Sequence, residues 1–335
     1  FKQKTAYEIG VRLVGSEMCI RDRACYIEWT GGDLSETVRI EAESDGMVTL
    51  YSGTQNMGQG LETVFTQLLS EKLQIPMESI KIVLGDTKLV KGLGSFGSRS
   101  LFVGGTALLE GTKEFLQKGR ELAAEELEAA EDDILYHNGR FQVTGTSIGV
   151  GLFDLASKQS QKCISTETEK TVEGRSWPNG CHIAEVEIDP ETGRVFLASY
   201  GNVDDTGNMI NPMIVEGQIK GGIAQGAGQV LLEQSVYDSE GQLLTASFMD
   251  YAMPRADDLP LFQSSTFTDA PCLTNPLGAK GVGEIGTVGS IPTIANAILD
   301  ALWDQGVRKF DMPAYPQKIW KLLKEAKNLR QKLFC

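Results

Sequence analysis

The clearest hydrophobic pattern lies in LETVFTQLLSEKLQ, where Leu61, Val64, Phe65, Leu68, Leu69 and Leu73 recur at i, i+3, i+4, i+7, i+8 and i+12. That spacing predicts one apolar face of a helix, with Glu62, Gln67, Glu71 and Lys72 on the polar side. Upstream, TVRIEAESDGMVTLYSG alternates apolar and polar residues around Ser44-Asp45-Gly46, which predicts a β-hairpin running into the glycine loop GTQNMGQG. IPMESIKIVLGDT reads as a loop and a short strand ending near Asp86. A second glycine-rich loop, GLGSFGSRSLFVGG, then feeds the helical pattern TALLEGTKEFLQKGRELAAEELEAA. From about Asp132 to Lys170 the pattern weakens to short strands and a helix around Leu152 to Lys158. HIAEVEIDPETGRVFLASYGNVDD predicts a long hairpin, with Ile183, Val186 and Ile188 on one arm and Val195 and Leu197 on the other. Asn211-Pro212 supplies a cap and a first-turn proline to a Gly- and Ala-rich helix suited to close packing. The last helices are SIPTIANAILDAL, with Ser290 as its expected cap, and an amphipathic stretch around Pro316 to Lys327.

Composition narrows the function. The chain has 335 residues, 41% hydrophobic and 23% charged, enough for roughly two domains of about 150 residues. A net charge of -14 and a pI near 4.7 leave no basic face for nucleic acid or anionic lipid, so the expected partners include neither nucleic acid nor membrane. The six cysteines contain no C-x-x-C pair, which argues against an iron–sulfur or zinc site within this chain and for a reducing, cytoplasmic compartment. No run of about 18 apolar residues occurs. The first 23 residues, FKQKTAYEIGVRLVGSEMCIRDR, show no apolar period and resemble the translated read-through of a sequencing adapter. They are set aside, and the natural protein is expected to extend upstream.

Chemistry concentrates in three glycine loops. In GAKGVGEIGTVGSIP, Glu284 stands among Gly278, Gly281, Gly283, Gly286 and Gly289, where backbone and ligand can approach closely. A carboxylate desolvated there could serve as a general base, and a surface glutamate in a flexible turn is the plainer alternative. In GTQNMGQG, Gln59 lies between Gly58 and Gly60 at a helix start, with an amide able both to donate and to accept; a cap loop without ligand fits as well. GSFGSRS offers backbone N–H groups and the hydroxyls of Ser98 and Ser100 at another helix start, a place for anionic oxygens or simply a tight turn. There is no P-loop lysine and no G-x-S-x-G elbow, and His137 and His182 lack spaced ligand partners. Both histidines read as ordinary strand or turn residues, and no metal is expected to be bound directly by side chains.

Taken in order, GTQNMGQGL, GSFGSRS, NPMIVEGQIKGGIAQG, DYAMP and GAKGVGEIG resemble the second molybdopterin-binding region of the xanthine dehydrogenase and aldehyde oxidase family, from about Val38 to Leu323. The resemblance implies an α+β fold of two intertwined subdomains with mixed and antiparallel sheets, over residues 24–160 and 161–335. It implies Glu284 as the catalytic base in hydroxylation of an aldehyde or N-heterocycle, xanthine among them, with water as oxygen source. Gly58, Gln59, Gly60, Phe96, Gly97, Ser98 and Gln218 fall at cofactor-contacting positions; DYAMP, Asp250 to Pro254, reads as a structural turn. The cofactor implied is molybdenum–molybdopterin, with the cytosine dinucleotide form among those the resemblance allows. Iron–sulfur clusters and FAD would sit on partner domains or subunits, beside the upstream half of the same large subunit and a small-molecule substrate. This chain alone is expected not to turn over. A non-catalytic binding or assembly module keeping the fold is the rival reading, and a nucleotide-binding protein a weaker one.

Overall fold

The computed structural model describes residues 18–333, so the adapter-like segment up to residue 17 lies outside the described residues. Strand β1 (Met18–Ile27) precedes the predicted hairpin, β2 (Ser35–Glu43) and β3 (Val48–Ser52), then helix α1 (Leu61–Leu73) and β4 (Ile80–Leu84). A π-helical turn, Ser100–Gly104, leads into α2 (Gly105–Glu126). The short elements β5 (Ile134–His137), β6 (Arg140–Val143), β7 (Gly149–Gly151) and α3 (Leu152–Lys158) follow, then β8 (Cys163–Thr171). The second part holds β9 (Asn179–Ile188), β10 (Val195–Asp205), α4 (Pro212–Leu231), β11 (Phe262–Phe267), α5 (Ile285–Trp303) and α6 (Pro316–Leu333).

The first sheet has the order β4-β3-β2-β8. β2 is antiparallel to both neighbours, and β4 runs parallel to β3 because α1 is the crossover between them. All six periodic residues of α1 are buried, as the spacing requires. β2 buries Glu36, Val38, Ile40 and Ala42 in alternation, and Val38, Ile40 and Ala42 share a core with Phe65 and Leu69 of α1, Phe115 of α2 and Leu155 of α3. Each such large side chain stabilises the fold by about 1.5–3 kcal/mol relative to exposure.

The second sheet has the order β1-β9-β10-β11, antiparallel except for β10 and β11. The strands interlock across the expected division near residue 160: β8 pairs into the first sheet and β1 into the second. Residues 18–23 of the adapter-like segment form the first part of β1, opposite Ile188 to Ile183. Edge-strand pairing is made by backbone groups, so it asks little of the side chains. β9 turns Ala184, Val186 and Ile188 inward with His182 in the same register, while Ile183 faces out. α5 packs on β1 and β9, and α4 packs on α5.

One helix boundary differs from expectation. α5 begins at Ile285, so Ser290 is a buried interior residue and not its cap. Gly286 and Gly289 each disfavour helix by about 1 kcal/mol, yet an added Cβ would lie 2.2 Å from the Ile219 carbonyl oxygen at the first and 2.4 Å from the His182 ring at the second. Close packing against α4 and β9 overrides the local preference. The same seam bears out the packing expected of α4: a Cβ on Gly222 would lie 3.0 Å from Gly286 Cα, and Thr287 Oγ1 donates to the Gly222 carbonyl at 3.0 Å.

Candidate functional site

The loop GLGSFGSRS is held from beneath by a single side chain. Arg99 is fully buried, with Nε donating to the Asp33 carbonyl at 3.1 Å and Nη2 to the Ser35 carbonyl at 2.5 Å. Its Nη1 donates to the Gly94 carbonyl and to Glu36 Oε2, both at 2.7 Å. Burial pushes the Glu36 carboxyl pKa up, and Arg99 pulls against that shift. The backbone can close over this ion pair because a Cβ on Gly53 would lie only 2.3 Å from Gly92 Cα. So anchored, the chain passes through Gly97 and Ser98, both at φ 55, and Gly97 accepts a hydrogen bond from the Gly31 amide at 2.7 Å.

From the other core, the segment before α5 lands on this loop. A Cβ on Gly281 would lie 2.7 Å from both Cβ and carbonyl oxygen of Ser98, which makes the glycine a condition of the approach. Three residues on, Ser98 Oγ donates to Glu284 Oε2 at 3.1 Å. Glu284 is also the N-terminal flanking residue of α5, its carbonyl accepting from the Thr287 and Val288 amides at 3.0 Å. Its side chain is exposed and sits at the positive end of the helix dipole.

Two clefts flank the Ser98–Glu284 contact. One is lined by Gln59, Ser98, Asn208, Ile214, Gln218 and Gly283. The other, of about 430 Å³, is lined by Glu28, Trp29, Gly97, Gln225, Glu284 and Thr287. Thus Gln59, Ser98 and Gln218 meet in one cleft, and Gly97 and Glu284 in its neighbour. Gly60 lies under α4, where a Cβ would meet Ile214 Cδ1 at 2.7 Å, whereas Gly58 faces open space. Phe96 lines neither cleft; its ring covers Gly32 and stands 5.5 Å from the Arg99 guanidinium. The amide of Gln59 is committed to its own loop, accepting from the Met57 amide at 2.5 Å and donating to the Gln55 carbonyl at 2.8 Å. Gln218 is half-buried, and its amide has no hydrogen-bond partner among the described residues. Lys280 reaches the first cleft, but its charge is matched by Asp205 at 2.5 Å.

Some residues here carried no sequence signal. Glu28, at the end of β1, is pushed up to about 8 by burial, then by the charge of Glu284 and a hydrogen bond with it. A lone carboxylate following a strand has no spacing by which to be found. Arg99 lies inside GSFGSRS but shows its role only through Glu36, 63 residues away. His182 is a strand residue, as expected, yet fully buried: its Nδ1 pairs with Tyr200 Oη at 2.7 Å and its Nε2 with Asp204 Oδ1 at 2.9 Å. Tyr26 Oη donates to the same Asp204 oxygen at 2.5 Å, and Asn202 Nδ2 to Oδ2 at 2.6 Å. The polar group in the core is thereby satisfied.

With the loops and clefts in view, comparison with known proteins identifies the family. The sequence profile of the molybdopterin cofactor-binding domain matches residues 8–260. The chain belongs to the molybdopterin-binding large-subunit region of the xanthine dehydrogenase and aldehyde oxidase family. This molybdopterin-binding region is 36% identical over 300 residues to the 6-hydroxypseudooxynicotine dehydrogenase complex subunit gamma of Paenarthrobacter nicotinovorans, covering 87% of this chain and 38% of that protein. It is 34% identical over 304 residues to the carbon monoxide dehydrogenase large chain of Hydrogenophaga pseudoflava, covering 88% and 38% respectively. Among solved structures, quinoline 2-oxidoreductase from Pseudomonas putida 86 superposes with a TM-score of 0.81 at 29% identity, over 92% of this chain and 42% of the other. The chain therefore spans about two fifths of the length of these relatives.

Proposed function

We propose that this chain is the part of a cytoplasmic molybdenum hydroxylase large subunit that supplies the base and one wall of the cofactor pocket. The enzyme would oxidise an aldehyde or an N-heterocycle, taking oxygen from water. The observation that carries this reading is the Ser98–Glu284 hydrogen bond at 3.1 Å, which joins loops 186 residues apart at the border of two clefts. The residues present fit a molybdopterin. Gln218 offers an amide not otherwise used and Ser98 a hydroxyl, and the glycines at 60 and 281 let the loops that carry the cleft pack closely on Ile214 and Ser98. In this reading Gly58, Gln59, Gly60, Gly97, Ser98 and Gln218 hold the cofactor, with Phe96 propping the loop from outside.

The bound cofactor supplies the two-electron redox chemistry of the hydroxylation. Glu284 accepts the proton released as the oxygen is transferred, and Ser98 Oγ keeps Oε2 oriented while leaving the carboxylate exposed to the cleft. Electrons leave through iron–sulfur clusters and FAD on partner domains or subunits, and the upstream half of the large subunit completes the pocket. The relatives named for quinoline and for 6-hydroxypseudooxynicotine favour nitrogen-containing substrates.

The test compares the full-length subunit, assembled with its partners, with the same complex carrying Glu284→Gln. Molybdenum and pterin content and oxidation of quinoline, nicotine, benzaldehyde and xanthine are measured. Retained metal with turnover reduced at least about a hundred-fold is expected, as for loss of a general base. If the parent complex holds no molybdenum, the non-catalytic module becomes the better account. If Glu284→Gln turns over normally, the base is elsewhere.

A further inference from the structure

Glu28 and Glu284 approach the same 430 Å³ cleft from different elements, the end of β1 and the start of α5. Both carboxyl groups line that cleft, and the neighbouring Glu284 raises the proton affinity of Glu28 further above what burial alone gives. Oε2 of Glu28 is buried and meets no donor among the described residues. Two ionised carboxylates cannot bond, because acceptor would face acceptor, so a hydrogen bond between these two would require a proton on one of them. The proton belongs on the carboxyl whose charge is less supported. Glu284 has the Ser98 hydroxyl, solvent and the N-terminus of α5 to stabilise an anion. Glu28 has only its neighbour.

We propose that Glu28 is a positioning residue for Glu284: its neutral carboxyl donates a hydrogen bond to the Glu284 carboxylate and, with Ser98, fixes that carboxylate between the two clefts. The proposal rests on the reading of Glu284 as the base. It makes the base part of a three-member chain, Ser98–Glu284–Glu28, drawn from both cores of the molecule.

Among the described residues, no cation pairs with Glu28 to relieve a second negative charge. Tyr26, two residues before Glu28, has its hydroxyl committed to Asp204. Arg175 lies 4.2 Å over the Trp29 ring, but its guanidinium is used on the carbonyls of Thr30, Gly31 and Gly32. Gln225 and Thr287, on the facing helices, are uncharged and bonded to each other at 3.2 Å. Among the described residues, neither Glu28 nor Glu284 forms an ion pair, and every influence acting on Glu28 raises its proton affinity. Above about pH 8 Glu28 ionises; Glu284 then loses a donor and gains a repulsive neighbour.

The experiment uses the assembled enzyme with its full-length large subunit, as parent, Glu28→Gln, Glu28→Ala and Glu284→Gln. Infrared titration of the glutamate-labelled protein should show a protonated carboxyl band at neutral pH that fades near pH 8 in the parent and is missing in Glu28→Gln. Turnover is followed with whichever of quinoline, nicotine or benzaldehyde the parent oxidises. Glu28→Ala should lose about ten-fold in kcat at neutral pH, the scale of a hydrogen bond to a charged group. Glu28→Gln retains a donor and should recover most of that loss, without the parent's decline above about pH 8. The proposal is overturned if Glu28→Gln removes no carboxyl band, or if its pH profile superimposes on the parent's. If no probe is oxidised, the infrared titration decides. Normal turnover in Glu284→Gln would sink the base reading and leave the carboxyl band as a separate result.

Discussion

Beneath the first sheet, Phe65, Leu69, Phe115 and Leu155 pack on the apolar residues of β2, and the buried charge at Glu36 in that same strand is matched by Arg99. Beneath the second sheet, the inward register of β9 brings His182 in beside Ala184, Val186 and Ile188, and α5 reaches that ring only because Gly289 has no side chain. The first region holds its loop by an ion pair saturated with hydrogen bonds. The second holds its loop by close backbone contact and leaves a carboxyl pair at the edge. A site formed where such regions meet gains a rigid wall, carrying Ser98, and a wall whose reactive group keeps some freedom to exchange a proton.

Breaking the rigid wall should have the largest effect. Arg99→Leu leaves Glu36 as an uncompensated buried charge, and removal of one partner from a buried pair costs about 3–5 kcal/mol. Urea unfolding of the large subunit should show that loss. An unchanged midpoint would mean that the loop stands without its arginine, and the contrast between the regions would collapse. The close-packed wall is tested by Gly289→Val, which places a branched side chain where even a Cβ lies 2.4 Å from the His182 ring. Overpacking of this kind costs about 1–3 kcal/mol, with α5 displaced from β9. A wild-type melting temperature would show that the seam yields more easily than an apolar core does.

A smaller effect is expected where the two regions are tied. Asn211 caps α4, its Oδ1 accepting from the Ile214 amide at 3.1 Å, while its Nδ2 donates to Gln67 of α1 at 3.0 Å. Asn211→Ala should cost about 1 kcal/mol for the cap. Asn211→Ser, which caps but cannot reach α1, should restore most of it in thermal unfolding. If serine restores nothing, the bridge between the cores matters more than the cap.

The asymmetry between the regions also governs what could be read in advance. The face of α1 and both hairpins were legible because a strict period of 3.6 or 2 reports burial directly, whereas the helix from Leu152 to Lys158 lies where the pattern is weak. The start of α5 was not, since Gly286 and Gly289 are helical for reasons supplied by α4 and His182. Alternation through Val186 and Ile188 puts residue 182 inside, but a histidine there makes sense only with Tyr200 and Asp204 opposite. The loops bearing Gln59, Ser98 and Glu284 stand out as glycine-rich segments, whereas the bond between Ser98 and Glu284 is made by the fold. Glu28 belongs to the same class: a single carboxylate acquires meaning only from the carboxylate set against it.

That carboxylate also yields a stability effect that depends on pH. In the folded chain the Glu28 carboxyl is raised from an ordinary value of 4.5 to about 8, so the native state binds a proton that the unfolded chain has already released. A raised pKa contributes stability in full below the unfolded value and loses it as pH rises through the folded value, so stability should fall with pH between about 4.5 and 8. Glu28→Gln removes the titration and leaves the shape of the side chain nearly unchanged. Relative to the parent, its melting temperature should therefore improve as pH rises from about 5 to about 9, with most of the change complete just above 8. A gap between variant and parent that stays constant over that range would show that the proton is not held at Glu28, and the compliant wall would then be as fixed as the one that carries Arg99.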